Sequence, residues 1–207
     1  MHTYPLCRLG LETLEPTALM PLCQRGFLLQ THHGVTLQEF LESTCGLSAE
    51  YIQKRIQTIF INGHPVDNPA ATALDADSTV ALSAAMPGLV GATMRSGGAF
   101  ASLRNGISYA STATEADTPT PILVRLKLFN FLAIEAGTSL LHNGVILSGP
   151  EFAEWLTTAT GLWSSCRQFF FDGQELPCDL SAVADKEWPP YIQLELGTLA
   201  TFSVPNP

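Results

Sequence analysis

The sequence has few charged residues and little positive charge. Only 14% of its 207 residues are charged, against roughly a quarter in an average domain. Ten basic residues stand against 19 acidic ones, for a net charge of −9. Such a balance repels a phosphate backbone and argues against a general nucleic-acid binder. The apolar fraction of 46% is that of a globular protein and argues against a disordered chain.

A long hydrophobic run and a leader pattern are also missing. Residues 1–5 contain no basic region followed by an apolar stretch, so we expect no secretory signal. The longest uncharged stretch, residues 78–94, is interrupted by proline and glycine. It falls short of the roughly 20 apolar residues of a spanning helix. We therefore expect a cytoplasmic protein without a membrane span.

The cysteines follow no C-x-x-C spacing, and their number is odd. They are Cys7, Cys23, Cys45, Cys166 and Cys178. This usage favours reduced, mostly buried thiols over a disulfide framework. A Cys166–Cys178 or a Cys7–Cys23 pair stays open as an alternative.

A weak internal repeat is the most informative feature of the chain. Five short segments of the first half have counterparts in the same order in the second half. The pairs are 8–11 with 125–128, 26–29 with 144–147, 39–42 with 151–154, 59–63 with 169–173, and 79–82 with 191–194. Each half therefore predicts the order strand, strand, helix, strand, loop, strand.

Capping and turn residues support this order. Thr36 can cap the first helix, and Ser148 or Gly149 precedes a proline that suits the first turn of the second. Gly46 and Gly161 are expected to end these helices. Asn-Gly at 62–63 and Asp-Gly at 172–173 follow the third strands and predict hairpins.

The first half resembles the sulfur carriers of the β-grasp, or ubiquitin-like, fold: the small subunit of molybdopterin synthase and the thiamine-pathway carrier. The resemblance lies in residues 35–41 at the helix, in residues 59–67 around the third strand, and in residues 74–82. The last segment resembles the carriers' closing pattern, with Ala76 in place of a frequent glycine. The resemblance as a whole covers about residues 8–88. The second half resembles the fold only through the repeat.

The resemblance implies an α+β protein with two tandem β-grasp modules, each a mixed sheet with one helix across it. Residues 1–88 would form the sulfur-carrier-like module. Residues 89–120 would form a Gly/Ala-rich segment and a Thr/Pro linker, and residues 121–207 a second, divergent module.

Sulfur carriers act through a free C-terminal Gly-Gly, whereas residues 204–207 are Val-Pro-Asn-Pro. We therefore do not expect the intact chain to act as a carrier. The internal pair Gly97-Gly98 would serve as a carrier terminus only after cleavage behind Gly98. The alternative, which we favour, is a flexible Gly-Gly turn.

Residues 78–114 contain no acidic residue, although the chain is acidic overall. A Gly-rich turn that enters a helix can cradle a small anion with its amides, and arginines add donors. The candidate binding residues are Arg95, Ser96, Gly97, Gly98 and Arg104. The alternative, which we favour, is a small-residue surface that packs on a neighbouring domain or subunit. In either case we expect residues 86–104 to be the functional surface.

No motif for catalysis or for a metal site stands out. G-x-S-x-G is absent, and Cys45 is predicted at the C-terminal end of a helix, where the dipole disfavours a thiolate. His32 and His33 are adjacent, and His64 and His142 stand beside Asn-Gly pairs, so we expect solvent-exposed turn histidines. We therefore expect no cofactor, no metal and no enzyme activity.

Three functions remain in order of preference. The first is a non-catalytic ubiquitin-like interaction or scaffold protein, with a protein partner or self-association. The second is a sulfur-carrier-like protein activated by cleavage after Gly98, and the third is the binding of a small anion by the acid-free stretch.

Consecutive phenylalanines at 169–171 put aromatic rings on both faces of a strand. We expect residues 86–109 or a second subunit to cover the outer face.

Overall fold

The computed structural model describes residues 4–84, 120–183 and 186–202. The chain divides into two compact units. The terminal unit combines Met1–Leu22 with Gly137–Pro207, and the middle unit is Cys23–Ala136. Both units are built from strands and helices, so the α+β class expected from the sequence is confirmed.

The described residues form ten strands. They are β1 Leu6–Leu11, β2 Phe27–His32, β3 Thr58–Ile61, β4 His64–Pro65, β5 Thr79–Ser83, β6 Pro121–Phe129, β7 Val145–Ser148, β8 Cys166–Phe171, β9 Gln174–Glu175 and β10 Tyr191–Thr198.

The same residues form eight α-helices and four other helical turns. The α-helices are α1 Met20–Arg25, α2 Leu37–Glu39, α3 Ala49–Arg55, α4 Phe131–Glu135, α5 Gly137–Asn143, α6 Gly149–Thr158, α7 Thr160–Ser165 and α8 Leu199–Phe202. A π-helical turn, Phe40–Thr44, continues α2, and 3-10 turns lie at Pro16–Leu19, Pro69–Ala71 and Leu180–Ala182. No helix among the described residues has the length and apolar character needed to cross a membrane.

In the middle unit the strands follow the spatial order β4-β3-β5-β6-β2. Strands β5 and β6 are parallel, and the other neighbours are antiparallel. Strand β6 alternates strictly, with Ile122, Val124, Leu126 and Leu128 buried and the residues between them half-buried. Such alternation packs one face of the sheet into the core.

In the terminal unit the order is β7-β10-β1-β8-β9. Strands β10 and β1 are parallel, and the other neighbours are antiparallel. Leu9 and Leu196 lie side by side in register, and both are buried. On that face the core is completed by Phe152, Trp155 and Leu156 of α6, whose spacing of three and four residues places them on one side of the helix.

The two units do not coincide with the contiguous modules 1–88 and 121–207 predicted from the repeat. Strand β1 belongs to the terminal unit, because it pairs with β10 and β8 of the second half. Strand β6 belongs to the middle unit, where it lies between β2 and β5 of the first half. The halves have therefore exchanged their first strands.

The order of elements does repeat along the chain. Each half contains a strand, helical turns, a second strand, a longer helical region, two hairpin strands, a 3-10 turn and a last strand. The helices between the first two strands of each half were not predicted. In the first half, Pro16 and Pro21 each lie in the first turn of a helical segment, where proline is tolerated.

Several local predictions are confirmed. The Thr36 side chain accepts a hydrogen bond from the Glu39 amide at 3.2 Å. Ser148 and Glu151 form a reciprocal capping box at the start of α6. The Asn-Gly and Asp-Gly hairpins have positive φ at both residues, as a type I′ turn requires.

The prediction that Gly161 ends a helix is wrong. Helix α6 ends at Thr158, and Ala159 adopts φ −81° and ψ 47°, which breaks the helix. Helix α7 begins at Thr160, so Gly161 lies within it.

Candidate functional site

The binding residues predicted from the sequence lie outside the described residues. They are Arg95, Ser96, Gly97, Gly98 and Arg104. The whole of residues 86–104 also lies outside the described residues.

A cleft of about 300 Å³ opens on the terminal unit. It lies on the face of the sheet opposite α6. Its lining residues are Leu6, Arg8, Gln168, Phe170, Gly173 and Phe202. The lining combines apolar walls with one guanidinium and one carboxamide, a mixture typical of binding clefts. We call it the Arg8 cleft.

Strand register places the side chains of Phe170, Arg8 and Glu195 in one row across the sheet. Arg8 is opposite Phe170 on β8 and beside Glu195 on β10. Since neighbouring side chains along a strand point to opposite faces, the residues that follow Arg8 and precede Phe170 face the core. These are Leu9 and Phe169, and both are buried.

Arg8 and Glu195 form a close ion pair. The Nε and Nη2 atoms of Arg8 donate to Oε2 of Glu195 at 2.9 and 2.7 Å. The Glu195 side chain is 17% exposed and that of Arg8 42%. The pair brings opposite charges together, so the cleft has little net charge at this point.

Helix α8 closes one side of the Arg8 cleft. The ring of Phe202 lies 5.2 Å from Cζ of Arg8, within cation–π range. A Cβ atom on Gly10 would lie 3.0 Å from Oε1 of Gln168 and 3.3 Å from a methyl of Leu199. The absence of a side chain at Gly10 therefore lets Gln168 and α8 approach the sheet closely.

The run of three phenylalanines is covered from within the terminal unit. Phe169 is fully buried, whereas Phe170 and Phe171 are half-buried. The ring of Trp188 packs edge-on against Phe171 at 5.1 Å, and Phe170 shares the Arg8 cleft with Phe202. Among the described residues, Trp188 and Phe202 therefore lie beside these rings. Residues 86–109, which we expected to cover them, lie outside the described residues.

The cysteines are free, and four of the five are buried, as expected. Burial raises the pKa of the Cys23 and Cys166 thiols to about 12 and those of Cys7 and Cys45 higher still. A hydrogen bond with Cys178 adds to the effect at Cys166. Neutral thiols are poor nucleophiles, so these four groups do not suit nucleophilic catalysis.

The histidines do not converge on one point. His33 lies 3.6 Å from a carboxylate oxygen of Asp75, and His32 lies 3.7 Å from Glu39. His64 is exposed after its turn, as expected. The exposed-turn prediction is wrong for His142, which lies in the last turn of α5, half-buried against Phe202. Within the described ranges no group of histidine, cysteine and carboxylate side chains could hold a metal ion.

The middle unit carries a separate surface feature around Glu135. Tyr51 Oη donates to Oε2 of Glu135 at 3.0 Å, and Arg55 donates to both carboxylate oxygens. The hydrogen bond from Arg55 lowers the pKa of Glu135, while burial and the bond to Glu135 raise that of Tyr51 to about 12. One helical turn from Glu135, Phe131 is 65% exposed.

The residues of the Arg8 cleft were missed at the level of sequence. Arg8 and Glu195 are 187 positions apart, and no motif links them. The repeat pairs segment 8–11 with segment 125–128, which indicates that β1 and β6 are equivalent strands. The repeat contains no signal for the pairing of β1 with β10.

Comparisons with protein-family models, with curated proteins and with solved structures find no match to this chain.

Proposed function

We propose that the protein is a non-catalytic ubiquitin-like interaction or scaffold protein that binds a protein partner through the Arg8 cleft. The observation that carries the proposal is the row of Phe170, Arg8 and Glu195 beside Phe202. Half-buried aromatic rings and an arginine are the residue types enriched at protein interfaces. The charges of Arg8 and Glu195 are paired with each other, so the row suits recognition rather than acid–base chemistry.

The β-grasp part of the proposal rests on element order. Apart from the helical turns between their first two strands, both halves contain strand, strand, helix, strand and strand in sequence, with Asn-Gly or Asp-Gly after the third strand. This is the order that suggested the resemblance to sulfur carriers. The exchanged first strands would make the protein an interleaved variant of two such modules.

The exchange disfavours the carrier alternative. A fragment that ends at Gly98 would lack β6, the strand between β2 and β5 in the middle unit. Its edges would expose unpaired backbone groups, which is costly. Cleavage behind Gly98 would therefore not release a complete module. The small-anion alternative depends on Arg95 and Arg104, since Arg8 is already paired with Glu195.

The proposal is tested by cross-linking in the protein's own cells, followed by mass spectrometry. The wild type is compared with a Phe170→Ser, Phe202→Ser variant and with Phe131→Ser as a matched control in the middle unit. We expect one captured protein to be lost from the double variant and kept by the control. That protein, once purified, should bind the wild type directly in calorimetry.

Equal capture by the wild type and the double variant would contradict a role of the Arg8 cleft. An Arg95→Glu, Arg104→Glu variant tests the proposed contribution of residues 86–104 in the same experiment. We expect it to weaken binding of the same partner and to leave the thermal unfolding midpoint unchanged. Unchanged binding would remove residues 86–104 from the interaction surface.

A further inference from the structure

We propose that the Arg8 cleft recognises an uncharged peptide amide next to an apolar side chain, as an extended segment of a partner protein presents it. This inference rests on the proposed function and specifies the ligand of the same site. It follows from three properties of the cleft: its charge balance, its hydrogen-bonding groups and its apolar walls.

The charge balance disfavours an ionic ligand. A carboxylate or phosphate would have to compete with Glu195 for Arg8 and would then lie beside the Glu195 carboxylate. An ammonium group would compete with Arg8 in the same way. Since the pair is already formed at 2.7 and 2.9 Å, a neutral ligand is the one that leaves it intact.

The hydrogen-bonding groups match an amide. The Gln168 side chain lines the cleft, and within the described residues its carboxamide has no hydrogen-bond partner. A carboxamide offers both a donor and an acceptor, which is the complement of another amide. The Nη1 atom of Arg8 has no partner among the described residues either, and it can donate to a carbonyl oxygen.

The walls fit an apolar side chain beside that amide. Leu6, Phe170 and Phe202 surround the polar groups. A volume of about 300 Å³ is at the small end of ligand sites, so a short peptide element suits it better than a large cofactor. Gly10 maintains the arrangement, because a side chain there would push Gln168 away.

The inference is tested with three probes that share a phenyl ring and differ in charge. They are N-acetylphenylalanine amide, N-acetylphenylalanine and phenylalanine amide, titrated into the full chain and followed by amide chemical shifts. We expect the neutral probe to bind at least about tenfold more tightly than either charged one, with shifts at residues of β1 and β8. Tighter binding of the carboxylate would overturn the inference and indicate an anion site at Arg8.

Variants separate recognition from folding. Gln168→Leu keeps the size of the side chain and removes its amide, so affinity for the neutral probe should fall about tenfold. Phe131→Ser should leave that affinity unchanged, and thermal unfolding verifies that each variant folds. Undiminished binding by Gln168→Leu, or no binding of any probe by the wild type, would overturn the amide inference. Partner capture by the Phe170 and Phe202 variants still decides the proposed function independently.

Discussion

Arg8 pairs with Glu195 across two adjacent parallel strands, although 187 positions separate them in the chain. Their strands, β1 and β10, come from opposite ends of the sequence. In the middle unit, β5 and β6 are likewise adjacent parallel strands from different halves of the chain, and Leu82 lies beside Leu128. Each half of the chain thus supplies an inner strand to the unit that contains most of the other half.

This exchange predicts that the two halves fold only together. We expect residues 1–112 and 113–207, co-expressed as separate chains, to form one stable complex with native circular dichroism. Each fragment alone lacks an inner strand of one unit and should be unfolded or aggregated. Size-exclusion chromatography and native mass spectrometry measure the outcome. A monomeric, cooperatively folding fragment 113–207 would show that the exchange is not required.

Gly149 is predicted to tolerate no side chain. A Cβ atom there would lie 2.4 Å from the carbonyl oxygen of Pro189, a clash that backbone movement must relieve. Gly149→Ala should lower the free energy of unfolding by about 1–3 kcal/mol, the usual cost of overpacking. Urea denaturation measures it.

Gly161→Ala is the matched control, because no atom lies within 4 Å of the added Cβ. Since Gly161 lies within α7, alanine should raise the free energy of unfolding by up to about 1 kcal/mol. Equal effects of the two substitutions would refute the packing argument.

Because of the reciprocal capping box, Ser148 should contribute more to the free energy of unfolding than Ser48. The Ser148 side chain accepts from the Glu151 amide, and Glu151 in turn accepts from the Ser148 amide. Ser48 accepts one bond, from the amide of Tyr51 at 3.1 Å. We expect Ser148→Ala to cost about 1 kcal/mol or more and Ser48→Ala to cost less. Chemical denaturation of both variants under one set of conditions checks the ranking.

Local elements were predictable from the sequence, because their determinants are local. Asn62-Gly63 and Asp172-Gly173 specify turns through their own backbone preferences, and Thr36 specifies a helix start through one side chain. Strand pairing was not predictable in the same way. Segments 8–11 and 125–128 have similar patterns, so either could complete either unit, and only long-range packing selects between them. The Arg8 cleft depends on that selection and was therefore missed.

Buried thiols predict a loss of stability at alkaline pH. Burial raises the pKa of Cys23 from about 9 to about 12, and its Sγ atom lies 3.7 Å from the carbonyl oxygen of Ala133. Above pH 9 the unfolded thiol releases its proton while the folded one keeps it, so rising pH favours the unfolded state. The Cys23 thiol contributes a fall of up to about 1.4 kcal/mol per pH unit between pH 9 and 12.

The measurement is the free energy of unfolding from urea titrations at pH 8, 9, 10 and 11 under reducing conditions. Cys23→Ala should lower stability at pH 8 and flatten the decline above pH 9, because one buried titrating group is gone. Ser148→Ala, which removes no titrating group in this range, should lower stability equally at every pH and keep the wild-type slope. An identical slope for the wild type and Cys23→Ala would mean that the Cys23 thiol ionises as readily in the folded chain as in the unfolded one.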